Sequence, residues 1–442
     1  MGLEDHPTVR QARAMSRPDR DVAAVLDAEW LKELARSCGA DDVGLVEIDR
    51  PVLQDQRPYI ETVFAGTRTL LSFIRRMNRE PVRSPARSTA NDEFHATYDH
   101  VNDTARKIVR RLEDAGIAAC NAVAAFPMEV EQDGRTWMVA HKPVAEAAGV
   151  GRIGVHRSVI HPKYGSFVLL GTVLIGQDAD RYDQPLDYNP CLGCNLCVAA
   201  CPVGALKSDG GFDFMTCYTH NYREFLGNFG DWVGALTDAR DHRDYRRRFS
   251  DAETRSMWQS LSFKPGYKAA YCISVCPAGE DVISPFLEDR KGYVDRVVRP
   301  LRDKAEVLYV LPGSDAEREV AKRFPNKTLK RVRRQQFATS IPMFLNGLRL
   351  SFQRGRARQI QATYHWTFTG RETATATIRI DKGTLSVQTG HQGTADVAIR
   401  ADTDTWLQVL SREQSIMKAI VLRRIRVKGD MALFKAFGKC FP

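Results

Sequence analysis

The chain has no long apolar run: the longest, Phe167 to Ile175, falls far short of the roughly 20 residues that a membrane-spanning helix needs. It has no internal repeat and no low-complexity tract. Its first residues, MGLEDHPTVRQARAMSRPDRD, contain neither an apolar signal core nor a twin-arginine pair, so the expected compartment is the cytoplasm, with no transmembrane segment. Acidic residues are fewer than basic ones, 54 against 64, which leaves a net charge of +10. Such an excess fits nucleic acid, an anionic surface, or an acidic partner such as a ferredoxin or flavodoxin. The basic runs at 240–249 and 327–334 lack interleaved aromatic residues, and they read as solvated surface with no nucleic-acid partner. At 442 residues, 43% hydrophobic and 27% charged, the chain is globular and too long for one core.

Cysteine is what the sequence does have. Ten cysteines without an export signal argue for metal or redox use over disulfides. CLGCNLCVAACP places Cys191, Cys194, Cys197 and Cys201 at the C-x2-C-x2-C-x3-C-P spacing of bacterial two-cluster ferredoxins. Three thiolates at two-residue intervals wrap three corners of one cubane, and the fourth leaves on the following helix toward a second cluster. A zinc site is the competing reading of four cysteines. YCISVCPAG supplies Cys272 and Cys276. By crossed ligation, Cys276 completes the cluster of Cys191, Cys194 and Cys197, while Cys201 and Cys272 serve the other cluster with Cys217 as its third thiolate. Ala269 stands where a second C-x2-C would begin, so the second cluster is 4Fe-4S or 3Fe-4S with three evident cysteines, and His220 is the nearby candidate for a fourth ligand. Cys38, Cys120 and Cys440 read as ordinary buried thiols.

Along the chain, residues 1–20 read as a disordered arm. An amphipathic helix with Val22, Val25, Leu26, Trp30, Leu31 and Leu34 follows and stops at Gly39. VGLVEI and TLLSFI read as strands, NREPVRSPARSTAND as an exposed loop, Tyr98 to Ala115 as a helix, AEAAGVGRIG as a small-residue turn and YGSFVLLGTVLI as a buried strand. Beyond the cysteines a strand and a helix capped by Ser314 lead into a basic linker. From about Ala362, alternating strands and short helices make a separate α+β domain. The expected units are an arm at 1–20, an α+β domain at 21–185, a ferredoxin-type domain at 186–295, a linker with a strand–helix unit at 296–335 and a C-terminal domain at 336–442.

The stretch AEAAGVGRIGVHRSVIHPKYGSFVLLGTVLIG leading into DYNPCLGCNLCVAACPVGAL resembles the epoxyqueuosine reductases and the reductive dehalogenases. HATYDHVNDTARKIVRRL resembles the helix of the epoxyqueuosine reductases that carries an aspartate–tyrosine–histidine element, with the order Tyr98, Asp99, His100 here. The resemblance covers roughly residues 20–290. It implies a nitroreductase-like domain that binds base-off cobalamin, with a two-cluster ferredoxin insert. Where epoxyqueuosine reductases carry an acidic proton donor, this chain reads MVAHKPVAEAAG, with His141 and Lys142 nearest. Residues 335–442 resemble the sterol carrier protein type-two domain, which implies a lipid-like substrate or a docking module; a packed core without ligand explains the same pattern.

These readings converge on an iron–sulfur-dependent reductase that uses a corrinoid on an organic substrate, hydrophobic or halogenated. Tyr98, His100, His141 and Lys142 are the candidate proton donors, and Gly149, Gly151, Gly154, Tyr164 and Gly165 the candidate lining of the cofactor cavity. The rival is a cobalamin-free electron-transfer protein docked to a lipid-metabolism partner.

Overall fold

The computed structural model describes residues 2–14, 25–129, 137–333 and 337–442. The fold is mixed α and β. Near the N-terminus, four antiparallel neighbours form a sheet in the order Asp42–Glu47, Thr69–Arg76, Val168–Ile175, Ala119–Asn121. The strand Thr69–Arg76 is buried on both faces, which is why it reads as a continuous apolar run. Leu71 and Phe73 pack on one face with Leu31, Phe94, Val101 and Ile108. Leu70 and Ile74 pack on the other with Ile60, Val144 and Ala147. The long helix Arg87–Asp114 thus covers one side, and the helix His141–Ala147 the other.

Several expected boundaries move. The helix expected from Val22 begins at Ala28, because Asp27 accepts a hydrogen bond from Trp30 N at 2.6 Å and caps it. Val25–Leu26 instead pairs in parallel with Asp178–Ala179. In the arm, Pro7–Ala14 is helical with no buried residue, while residues 15–20 lie outside the described residues. The stretch expected as an exposed loop forms the helix Arg79–Arg83 and the first turns of Arg87–Asp114. Its arginines find aromatic partners: Arg83 lies over Phe167 and Tyr293, and Arg87 over Tyr271. Ser274 Oγ donates to Val82 O at 2.8 Å, tying this segment to the second cysteine motif.

The strand–helix unit expected as part of a linker is packed against the cysteine segment. Val307–Val310 and Thr328–Arg331 pair in parallel. Leu308, Val310, Ala316 and Val320 share a core with Cys201, Val203 and Leu206, against which Cys217 and Cys272 also pack. The basic run at its end is not simply solvated: Lys327 pairs with Glu306 at 2.5 Å, and Lys330 with Glu253 at 2.6 Å. Residues 334–336, where the boundary to the C-terminal domain was expected, lie outside the described residues.

The C-terminal domain is a five-stranded sheet in the order Thr384–Thr389, Ala374–Asp381, Gln361–Thr369, Val397–Asp402, Ile425–Gly429. Tyr364, Trp366 and Phe368 alternate onto one face, where they meet Phe344, Trp406, Phe434 and Phe437 from the helices.

Candidate functional site: two cysteine groups

The ferredoxin-spaced cysteines fall into two groups. Cys191, Cys194, Cys197 and Cys276 line one pocket together with Val155, His156 and Ile160. Among the described residues, no three His, Cys, Asp or Glu side chains converge on a single-ion position. Cys201, Cys217 and Cys272 form the second group around the core shared with Leu308 and Val310.

Backbone geometry makes both groups reachable. Gly193, Asn195 and Ala270 adopt left-handed conformations, with φ of 67°, 52° and 54°. For Asn and Ala that conformation costs on the order of 1 kcal/mol. Asn195 and Ala270 each stand two residues before a cysteine and start the short helices Leu196–Ala200 and Tyr271–Ser274. Amide groups already point at sulfur, Val155 N donating to Cys191 Sγ and Ala205 N to Cys201 Sγ, both at 3.3 Å. Burial pushes the Cys197 and Cys272 thiols up to about 12 and Cys276 to about 11, reinforced by neighbouring thiols. Only a strongly electrophilic partner such as cluster iron makes thiolates of them in this setting.

The donor set therefore fits a cubane in the first group and three corners of one in the second. Ala269 is buried beside Ala200, Tyr271, Val275, Val298 and Leu301, and its amide donates to Asn221 Oδ1 at 3.1 Å. His220 is buried against Tyr309, whose backbone N–H donates to its Nδ1 at 3.4 Å. Burial, with Lys268, Lys327 and Arg223 around it, lowers the imidazole to about 3, and Nε2 has no hydrogen-bond partner among the described residues.

The glycine-rich turn lies against the first group, with Gly154 beside Cys191. Space beside its glycines is filled by protein: a side chain on Gly149 would meet Gln184 O, on Gly151 Val159 and Ile160, and on Gly154 Ile160 and Cys191 Sγ. Gly165, at φ +64°, has its absent Cβ aimed at Ala278 O. Tyr164 stacks on His161 with Arg76 over its ring. Close packing accounts for these small residues, on Gln184 for Gly149, on Val159 and Ile160 for Gly151, and on the cysteine segments for Gly154 and Gly165.

Lys142 Nζ donates to Arg157 O at 2.8 Å. Its side chain is exposed and lies toward the Cys272 and Cys217 thiols. Burial lowers its pKa. Tyr98 also belongs here: its hydroxyl lies 3.4 Å from that of Tyr267, and burial raises its pKa. Tyr267 in turn packs edge-on against Phe94 and Tyr222. His141 has both nitrogens engaged, Nδ1 with Thr172 Oγ1 at 2.8 Å and Nε2 with Val123 O at 2.9 Å. His100 is exposed on its helix, beside Asp103. Lys142 thus lies toward the second cysteine group and Tyr98 against Tyr267, whereas His141 is held by Thr172 and Val123 and His100 faces outward.

One residue escaped the sequence reading. His156 is buried between the Cys191 pocket and Lys142, its Nε2 has no partner, and burial lowers it to about 4. Nothing in its spacing separates it from a core histidine.

Comparison with known proteins follows the same lines. The 4Fe-4S binding domain model matches residues 185–207, and the SCP-2 sterol transfer family model matches residues 346–442. The epoxyqueuosine reductase of Gloeobacter violaceus is 30% identical over 202 residues, which is 45% of this chain and 59% of that protein. The chain thus spans under two thirds of that relative's length. The resemblances read from the sequence are borne out by these matches. Among solved structures, a catabolic reductive dehalogenase aligns over 62% of this chain and 34% of its own, with 15% identity and a TM-score of 0.38. An epoxyqueuosine reductase solved with an epoxyqueuosine-modified tRNA-Tyr stem loop aligns over 45% of this chain and 60% of its own, with 19% identity and a TM-score of 0.32. That last structure corrects the expectation of no nucleic-acid partner. A protein of the kind this chain resembles holds tRNA, so the lack of aromatic residues within two basic runs is no ground for excluding it.

Proposed function

We propose that this chain is an iron–sulfur-dependent reductase that acts on an organic substrate beside Lys142. Cys191, Cys194, Cys197 and Cys276 hold one 4Fe-4S cluster, and Cys201, Cys217 and Cys272 hold three corners of the second. The observation that carries this reading is the gathering of the first four thiols around one pocket, with Lys142 beside the second group. The N-terminal α+β unit is read as nitroreductase-like, and a base-off corrinoid would lie beside the Tyr98 helix, away from the protein-filled turn at 149–154.

When bound, the clusters supply single electrons and the corrinoid a low-valent cobalt that reduces the substrate. The chain's own part is to position, shield and protonate. Val155 N–H and Ala205 N–H stabilise charge on the ligating sulfurs. The Lys142 ammonium, held at Arg157 O, is the proton donor, and burial lowers its pKa in the direction that favours release. Tyr98, held against Tyr267, is the second polar group offered for positioning. A ferredoxin or flavodoxin is the electron donor.

Anaerobic reconstitution and a corrinoid titration test this, with a halogenated phenol and an epoxyqueuosine-modified stem loop as the substrates offered. One corrinoid per chain is expected, with Lys142→Gln keeping iron and corrinoid while losing turnover by about 10²–10⁴-fold. Full iron with no corrinoid retained would favour the rival electron-transfer reading.

A further inference from the structure

Nearly all of the chain's positive excess lies at its C-terminal end: residues 346–442 hold sixteen Lys and Arg against seven Asp and Glu. The concentration is sharper still between Thr405 and Gly429. There Arg412, Lys418, Arg423, Arg424, Arg426 and Lys428 stand against the single carboxylate Glu413. The helix Ile416–Val421 turns through Leu422 and Arg423, the latter at φ 53°, into Ile425–Gly429 at the edge of the sheet. Ala419 and Ile425 anchor this corner in the core. On its outer side Met417, Val421 and Leu422 are 61%, 76% and 57% exposed.

The cations around this apolar tip are largely uncompensated. Arg424 has Asp402 nearby. Among the described residues, Arg412, Lys418, Arg423, Arg426 and Lys428 form no ion pair. Arg426 also stands opposite Arg400 in the register of the edge pair. Like charges directly opposite each other destabilise a sheet, and an external anion relieves them.

We propose that this corner docks on an anionic lipid bilayer. Met417, Val421 and Leu422 enter the boundary between headgroups and acyl chains, while the surrounding arginines and lysines meet the lipid phosphates and carboxylates. An exposed aliphatic trio at the end of a short helix has no partner on a phosphodiester backbone, which is bound by cations with aromatic platforms. Charge complementarity and apolar insertion are both served by a bilayer. The proposal is independent of the reductase reading, because none of these residues belongs to the cysteine groups.

Flotation of the full-length, cluster-loaded protein tests it, with vesicles of phosphatidylcholine alone and of phosphatidylcholine mixed with phosphatidylserine. Binding is expected only to the anionic vesicles and falls with added salt. Arg423→Ala with Arg426→Ala weakens it about thirtyfold, the size expected for two cations at an anionic surface. Met417→Ser, Val421→Ser and Leu422→Ser together weaken it about tenfold or more. Cluster absorbance and melting temperature stay at parent values in both variants, which separates lost docking from lost folding. Equal binding to the two vesicle types, or none at low salt, would overturn the proposal. So would retention of a tRNA stem loop that the arginine variant loses and the serine variant keeps, because the surface then belongs to nucleic acid.

Discussion

Gln353, in the C-terminal part of the chain, donates from Nε2 to Asp213 Oδ2 at 3.0 Å, and Asp213 caps the helix Phe214–Asn221 that carries Cys217. Gln353 is buried and also accepts from Asp315 N at 2.7 Å through Oε1. Burial raises the Asp213 pKa, so its capping role depends on these partners. Gln353→Leu is expected to cost about 1–3 kcal/mol of local stability, the penalty for buried polar groups left unpaired. The check is iron loss from anaerobic protein under a chelator: the Cys217 cluster should go faster than in the parent, with the Cys191 cluster unchanged.

Gly165 gives a second prediction. At φ +64° its absent Cβ would sit 1.9 Å from Ala278 O, two residues past Cys276. Gly165→Ala must shift backbone and also pay the left-handed penalty, so a loss of more than about 2 kcal/mol is expected by thermal or denaturant unfolding. Gly66→Ala, also at positive φ but with nothing near its absent Cβ, should show the conformational cost alone.

A pH dependence follows from His220. Its folded pKa is lowered to about 3, by burial first and then by Lys268, Lys327 and Arg223. The unfolded chain takes up the proton near 6.5, so below that pH the unfolded state binds more protons and stability falls as pH falls. The slope approaches about 1.4 kcal/mol per pH unit for this group between 6.5 and its folded value. Melting temperatures of the parent between pH 7.5 and 5 should therefore decline more steeply than those of His220→Gln. Parallel curves would remove His220 from this account.

Much of this architecture is legible in the sequence because the signals are local. The cysteine spacing marks both groups, and the alternation of Tyr364, Trp366 and Phe368 marks the C-terminal sheet. What the sequence hides depends on partners far along the chain. Arg83 and Arg87 look like exposed loop residues until Phe167, Tyr271 and Tyr293 cover them. The unit at 305–331 looks like part of a linker because its apolar face is matched only by Cys201 and its neighbours. Glycines at 151, 154 and 165 read equally well as room for a cofactor or room for protein; their nearest neighbours are protein. His156 carries no spacing signal, and Lys142 acquires meaning only from the thiols it approaches.

The central claim is that seven cysteines hold two separate cubane clusters, one in each group. Iron and acid-labile sulfide per chain, with EPR of the dithionite-reduced protein, test it most directly on the anaerobically reconstituted parent, Cys194→Ser and Cys217→Ser. The account predicts about eight irons and two reduced cubane signals in the parent, and about four irons with a different surviving signal in each variant. About one metal ion per four cysteines with no labile sulfide, as in a structural zinc protein, would contradict it.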